Sequence, residues 1–397
     1  MRDAVELDVA VVGGGIAGLW LWHRLRTLGF DAVLLDKNPL GTGQTIASQG
    51  IIHSGIKYTF DGVNRPQTEA LSAMPKIWMD AIGGHGEVDL RGTEVLTAHQ
   101  LMFTTGGFFN RMAGAVATRA LRSDVGALER AAWPEVFQAR AFSGTIYRLE
   151  EPVLAARSVI TALARKFPES AYRAAVTGVS GDAESSHEIT VATEIGEPLR
   201  LRARALLFTA GAGNEHFARA LGLEPAKVAQ RRPLRMFMAR GLPHKLYAHC
   251  LVPEPKPRVT VTTHVLDGEN VWYLGGNIAE KAVGMSDAEA LRWAHAEMTD
   301  LFPWLNWRDV RWAIHDVDRA EPHASKLLPS GPTLTTIGNA ALAWPTKLAL
   351  APALTQQALR WLEQLQIKPS GHATHLPLPP AVAARYPWEE VREWIHQ

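Results

Sequence analysis

The apolar positions of the first forty residues change period twice. Val9–Val12 is a short apolar run with β-branched residues, the pattern of a strand buried on both faces. Leu19–Leu28 carries apolar residues at helical spacing, and Gly29 stops it. Ala32–Leu35 is a second apolar run, closed by Asp36. Strand, helix and strand in that order predict a βαβ unit. From Asp61 to about Glu94 the pattern is mostly helical, with Leu71, Met74, Ile77 and Trp78 on one stripe read as core. Glu94–Thr104 reads as a strand, and Gly107–Arg122 and Asp124–Arg140 as helices, the second interrupted by Pro134. Gly144–Leu149, Ala171–Val179, Glu188–Glu194 and Leu199–Thr209 read as strands, and Ala155–Phe167 as an amphipathic helix with Val159, Leu163 and Phe167 inward.

A different architecture begins near Pro233. LRMFMAR, KLYAHCLV, PRVTVTTHVL and NVWYLGG follow one another as strands with short turns, and Asp267-Gly268 is a hairpin signal. Such a series predicts an antiparallel sheet. Asp287–Thr299 is helical, and Trp304, Trp307 and Trp312 read as packing residues. Val310–Val317, Thr333–Ile337 and Ala341–Trp344 are strands, and Leu348–Leu365 a helix. The chain is proline-rich from Lys368 and ends in a short amphipathic helix over Trp388–Ile395.

Composition narrows the function classes. A chain of 397 residues with formal net charge +1 gives no reason to expect nucleic acid as a partner. The single cysteine, Cys250, excludes an intrachain disulfide and an iron–sulfur cluster ligated by this chain alone. No signal peptide fits ahead of the first strand and no apolar run is long enough to span a bilayer. The expectation is a cytoplasmic protein, with peripheral contact at the inner membrane left open.

The chemistry starts in the first turn. Gly13, Gly15 and Gly18 stand at GxGxxG spacing between strand and helix, with an acidic residue, Asp36, about 20 residues on. Gly13 makes the tight turn, Gly15 lets backbone approach a pyrophosphate, and Gly18 lets helix and strand pack closely. The helix start at Ile16 and Ala17 turns free N–H groups toward phosphate. Asp36, with Lys37 beside it, is placed to accept from a ribose diol. This is a dinucleotide-binding unit, and by itself it does not separate FAD from NAD. The glycine-rich loop that follows, with Thr45, Ser48, Gln49 and Gly50, sits where the far half of a cofactor would pass.

GGGIAGLW, SQGIIHSGIKY and two later stretches resemble the FAD-dependent oxidoreductases of the D-amino-acid oxidase superfamily. Within it the chain is most similar to the L-2-hydroxyglutarate oxidase and FAD-dependent glycerol-3-phosphate dehydrogenase branches. Ile52-His53-Ser54-Gly55-Ile56-Lys57-Tyr58 matches their element after the ribose acid, and Asp318-Arg319-Ala320-Glu321-Pro322 and Trp344-Pro345-Thr346-Lys347-Leu348 resemble their closing segment. The resemblance implies an α/β fold: a Rossmann-like, glutathione-reductase-like FAD-binding domain with an inserted α+β substrate domain built on an antiparallel sheet. The FAD domain would comprise 1–80, 144–215 and 325–375, the substrate domain 81–143 and 216–324, and the tail 376–397.

The resemblance also implies a strand near Val176 passing the adenine, an Ala210-Gly211 turn returning to the pyrophosphate, and Pro345, Thr346, Lys347 and Leu348 over the flavin ring. That last loop carries less glycine than is usual. Ile46 after Thr45 leaves no histidine for covalent attachment, so the FAD is expected to be non-covalent. Arg319 would hold a substrate anion, its alternative being a surface arginine paired with Asp316 or Asp318. His53 is either the general base or a ring fixing the loop, with His264 as the competing base. Lys57 and Tyr58 would meet the substrate, or be a solvated lysine beside a core tyrosine. Lys347 would stabilise the reduced flavin. The expected reaction is oxidation of a small anionic 2-hydroxy acid or related alcohol, L-2-hydroxyglutarate-like, with oxygen or a quinone as electron acceptor. An amino-acid or amine oxidase and a flavin-bound partner protein without turnover are the alternatives.

Overall fold

The computed structural model describes residues 3–55, 71–105, 126–182, 186–193, 197–252, 254, 256–324 and 331–397. In chain order the first strands are β1 (Val5–Val12), β2 (Ala32–Asp36), β3 (Val95–Thr97), β4 (Gln100–Thr104), β5 (Thr145–Leu149), β6 (Val153–Leu154), β7 (Ala171–Arg173), β8 (Val176–Asp182) and β9 (Ser186–Val191). They continue with β10 (Leu199–Phe208), β11 (Ala229–Arg240), β12 (Ala248–Cys250), β13 (Val259–Leu266), β14 (Glu269–Gly275), β15 (Arg311–Pro322), β16 (Thr333–Ile337), β17 (Ala340–Trp344) and β18 (Ile395–His396). The longer helices are α1 (Ile16–Thr27), α2 (Met74–Ile82), α3 (Ala156–Arg165), α4 (Asn214–Ala220), α5 (Pro225–Val228), α6 (Asn277–Lys281), α7 (Asp287–Leu301) and α8 (Ala351–Gln364).

Two large sheets carry the fold. The first has the order β16-β17-β10-β1-β2-β7, with the β8–β9 hairpin attached to β10. β17, β10, β1, β2 and β7 are mutually parallel, and β16 runs antiparallel at the edge. The continuous apolar runs of β1, β2 and β10 are explained by burial on both faces. Val9, Val11, Leu34 and Leu207 face the side covered by α1, α3 and α8, while Ala10, Val12, Leu35 and Phe208 face the opposite side. Each of these valine, leucine and phenylalanine side chains contributes about 1.5–3 kcal/mol on full burial.

The second sheet has the order β18-β15-β11-β14-β13-β12-β4-β5 and is antiparallel except for the parallel pair β12–β4. One of its faces, with Met236, Met238 and Tyr273, joins the core beneath α1. The other, with Phe237, Trp272 and Trp312, packs on α7. Trp307 and Trp312 stack in that second core and Trp304 donates to the Val136 carbonyl, so all three tryptophans pack. β5 falls in the 144–215 stretch yet pairs with β4 in this second sheet.

Several local expectations give way to tertiary structure. The described part of 124–140 forms only two 3-10 turns, Arg130–Ala132 and Glu135–Phe137, because Pro134 breaks the stretch after one turn. Glu94–Thr104 divides into β3 and β4, which belong to different sheets. Trp388–Ile395 is not a helix: Pro387–Glu389 is a 3-10 turn, and Ile395 pairs with Trp312 as an added edge strand. The helix read over Gly107–Arg122 lies outside the described residues, and of the 61–94 stretch the described helix is α2, which ends before Gly83-Gly84.

Candidate functional site

Parallel strands gather their carboxyl ends at one sheet edge, the ligand-binding edge of open α/β sheets. Here β1 ends at the Gly13 turn, β2 at Asp36, β10 at Thr209-Ala210-Gly211 and β17 at Pro345-Thr346-Lys347. Side chains tie these turns together. Thr209 Oγ1 donates to the Gly13 carbonyl at 2.8 Å. Asn214 Oδ1 accepts from the Ala210 N–H at 2.9 Å while its Nδ2 donates to the Ala343 carbonyl at 3.1 Å.

The three glycines of the motif answer to different constraints. Gly13 has φ +112°, and a Cβ on it would meet the Ala210 backbone at 2.6 Å. A Cβ on Gly18 would collide with the Gly13 carbonyl and sit 2.5 Å from Thr209 Oγ1. Both are therefore required by the protein's own packing. Gly15 is not: a Cβ there would meet only Thr45 Oγ1, at 3.2 Å. Its bare backbone keeps open the space at the start of α1.

Asp36 Oδ2 accepts from the Gly14 N–H at 2.6 Å and Oδ1 from the Asn38 N–H at 2.8 Å. Burial pushes its carboxyl above the usual range, and the two N–H groups act against that rise. Lys37 is exposed. The loop after Gly41 runs from α1 across the second sheet. Thr45 Oγ1 accepts from the Ile16 N–H at 2.9 Å. Gln44 Oε1 accepts from the Ala320 N–H at 3.1 Å. Gln49 Nε2 donates to the carbonyls of Thr260 and Tyr273, both at 2.9 Å, and the Tyr273 hydroxyl donates to the Ala47 carbonyl at 2.9 Å. The Ser48 hydroxyl is buried and meets no hydrogen-bond partner among the described residues.

Past Gly50 the loop pairs with the segment between β5 and β6. Ile51 bridges Val153 antiparallel, the Leu154 N–H donates to the Gly50 carbonyl and the Ile52 N–H to the Pro152 carbonyl, both at 2.9 Å. Continuing that register by two residues sets His53 opposite Glu151. The Glu151 carboxylate is fully buried. Its Oε1 accepts from the Ser54 N–H and hydroxyl, both at 2.8 Å, and its Oε2 lies 3.0 Å from His53 Nδ1. His249 of β12 stacks on His53 with centroids 5.7 Å apart, and its Nδ1 lies 2.7 Å from Thr260 Oγ1. Neither Glu151 nor His249 was singled out by the sequence reading.

The other expected residues are distributed around this point. Arg319 lies on β15, next to the Ala320 N–H that Gln44 accepts, and contacts Glu321 at 3.3 Å and Glu280 at 4.0 Å. Side-chain alternation puts Arg319 and His249 on the same sheet face, but four strand steps separate them. That is about 19 Å between their strands at roughly 4.8 Å per step. Lys347 follows Thr346, whose φ of +61° marks a strained turn at the same carboxyl edge as Gly13. The Lys347 N–H donates to the Pro345 carbonyl at 2.7 Å, and Leu348 opens the turn leading into α8. Val176 begins β8, off the main path of the parallel sheet. Lys57 and Tyr58 lie outside the described residues.

His264, the competing base of the sequence reading, lies on β13 beneath the C-terminal tail. Its ring is stacked on Trp388 at 4.1 Å and bordered by Tyr386 and Tyr273. Burial lowers its pKa to about 3, so it stays neutral and sealed beneath the tail.

Residues 8–330 match the family described as "DAO: FAD dependent oxidoreductase". The chain belongs to the FAD-dependent oxidoreductases of the D-amino-acid oxidase superfamily. This oxidoreductase is 40% identical over 407 aligned residues to the probable FAD-dependent oxidoreductase PA4991 of Pseudomonas aeruginosa, covering 98% of this chain and 99% of that one. It is similar to that protein's crystal structure, with a TM-score of 0.82 and 37% identity over 98% of this chain and 99% of the other. In fold it also resembles L-α-glycerophosphate oxidase from Mycoplasma pneumoniae with FAD bound (TM-score 0.67, 15% identity, 96% and 98% covered). Glycine oxidase from Geobacillus kaustophilus is a similar neighbour (TM-score 0.66, 15% identity, 94% and 100% covered).

The enzyme's cofactor is FAD, and the residues fit it. The bare Gly15 leaves a cradle that a Cβ would fill, and the buried Ser48 hydroxyl is left for a partner that the described residues do not provide. No helix among the described residues is long and apolar enough to cross a membrane.

Proposed function

We propose that this FAD-dependent oxidoreductase oxidises a small anionic 2-hydroxy acid or related alcohol, of the L-2-hydroxyglutarate kind, to the corresponding carbonyl. Bound FAD supplies the two-electron acceptor. The carboxyl-edge turns at Gly13, Gly15, Ile16, Ala17 and Gly18, with Asp36, Lys37, Thr45, Ser48, Gln49, Gly50, Val176, Ala210 and Gly211, would hold it. Pro345, Thr346, Lys347 and Leu348 would face its ring, with the Lys347 ammonium offsetting negative charge there.

The observation that carries the alcohol reading is the His53 imidazole paired with a buried carboxylate. An aliphatic hydroxyl keeps its proton in neutral water, so its oxidation needs a base at the substrate oxygen. An ammonium can release its proton to solvent before binding, and an amine oxidase has less need of a held base. His53 takes the hydroxyl proton. Arg319, with Arg232 beside it on β11, supplies positive charge for a carboxylate or phosphate, and Lys57 and Tyr58 are proposed to complete the substrate contacts.

The separation of the Arg319 and His249 strands suits a small substrate whose hydroxyl and anionic group lie at opposite ends, with the arginine side chain reaching toward the latter. Oxygen or a quinone would take the electrons on. Anaerobic titration with a panel of 2-hydroxy acids, glycerol 3-phosphate and amino acids tests the reading. Bleaching of the flavin band by a hydroxy acid or phosphorylated alcohol supports it. Bleaching only by amino acids or amines replaces it with the amine-oxidase reading.

A further inference from the structure

A fully buried carboxylate needs compensation, and residues of the His53 loop meet both oxygens of Glu151. Its Oε1 is occupied by two donors of Ser54, one of them a backbone N–H that has no other protonation state. Its Oε2 is turned to His53 Nδ1. A carboxylate only accepts, so the ring nitrogen facing it has to be the protonated one. The stack of His249 on the His53 ring, fixed by its own contact to Thr260, sets the ring plane.

We propose that Glu151 is the positioning residue of this site. It holds His53 as the Nδ1-protonated tautomer and leaves the basic lone pair on Nε2, the atom that would take the substrate proton. This rests on the reading of His53 as proton acceptor.

Ligand atoms of His53, Glu151 and His249 lie within 4.8 Å of one another, so the same trio has the composition of a divalent-metal site. The geometry favours the hydrogen-bonded arrangement. Both carboxylate oxygens already accept from protein donors. The two rings lie 27° from parallel, so their in-plane lone pairs do not converge as a tetrahedral ion requires.

Glu151→Gln separates the roles with little change in shape. The amide oxygen has to stay on the Ser54 N–H and hydroxyl, which turns the amide NH2 toward His53 Nδ1. That nitrogen then becomes an acceptor and the proton moves to Nε2. The measurement is long-range proton–nitrogen NMR on holoenzyme carrying isotope-labelled histidine, with His53 assigned from the signals lost in His53→Gln. The native protein should show His53 protonated on Nδ1, and Glu151→Gln should show it protonated on Nε2. The limiting rate of flavin reduction by the best reductant of the panel should fall about 100-fold or more in the variant, with half-saturating concentration and flavin content retained.

A native His53 protonated on Nε2, or a tautomer unchanged in Glu151→Gln, overturns the proposal. So does stoichiometric divalent metal in the native protein that the variant releases. If Glu151→Gln does not fold, the native tautomer alone decides. If no probe reduces the native flavin, the hydroxy-acid reading fails while the tautomer still decides the role of Glu151.

Discussion

Burial of His264 should make the docking of the C-terminal tail depend on pH. Its ring lies between β13 and the Tyr386–Trp388 pair, and burial lowers its pKa from 6.5 to about 3. Between those two values the unfolded chain binds a proton that the folded chain refuses. Stability from this group is therefore fully present above pH 6.5 and is lost as pH falls toward about 3. At about 1.36 kcal/mol per unit, the loss is roughly 2 kcal/mol near pH 5 and approaches about 5 kcal/mol near pH 3.

The perturbation is His264→Phe, which keeps a flat ring against Trp388 and does not titrate. Its packing cost is the same at every pH. Burial also lowers the pKa of His23 and His315, so these two histidines add to the stability the native protein is expected to lose in acid. The difference between native and variant isolates His264. Urea unfolding at about pH 8 and about pH 5 should show the native protein losing roughly 2 kcal/mol more than His264→Phe. Equal losses in the two proteins would refute the assignment of His264 as a buried neutral ring.

Gly15→Ala should leave the unfolding midpoint nearly unchanged and reduce bound FAD on purification, since a Cβ there meets little protein. Gly18→Ala should destabilise the apoprotein itself, by about 1–3 kcal/mol as overpacked sites do, and paired unfolding and flavin-content measurements distinguish the two. Arg319→Ala should weaken substrate binding by roughly 2–5 kcal/mol if it meets a buried anion. Flavin content should survive, because Arg232 still pairs with Glu321 through two bonds of 2.8 Å. Unchanged half-saturation in that variant removes Arg319 from the site. Acid precipitation should release the flavin into the supernatant, and yellow colour retained in the washed pellet would show a covalent link.

The N-terminal βαβ unit was legible because strands buried on both faces leave unbroken apolar runs, and because steric demands at Gly13 and Gly18 fix their identity. The antiparallel sheet was legible from short turns such as Asp267-Gly268. Glu151 was not. It follows an acidic neighbour, Glu150, that is exposed, and nothing local distinguishes the two. Only the pairing of Ile51 with Val153 brings a residue 98 positions away against His53. The surroundings of His264 were not legible for a related reason: its neighbours along β13 do not reveal that Trp388 returns to cover it. The tail itself was read as helical from its periodicity, but a segment this short takes its conformation from what it docks on. Arg157 lies over the Tyr386 ring at 4.6 Å and donates to Glu389 at 2.7 Å, which holds that turn in place.

The central claim is that a base held at His53 removes the substrate's hydroxyl proton while FAD, lying along the carboxyl edge of the parallel sheet, accepts the electrons. The most direct measurement is anaerobic stopped-flow reduction of the flavin by the best hydroxy-acid reductant, comparing the native enzyme with His53→Gln at matched flavin content. The account predicts a limiting rate lower by about 100-fold or more in the variant. Equal rates in the two proteins would contradict it.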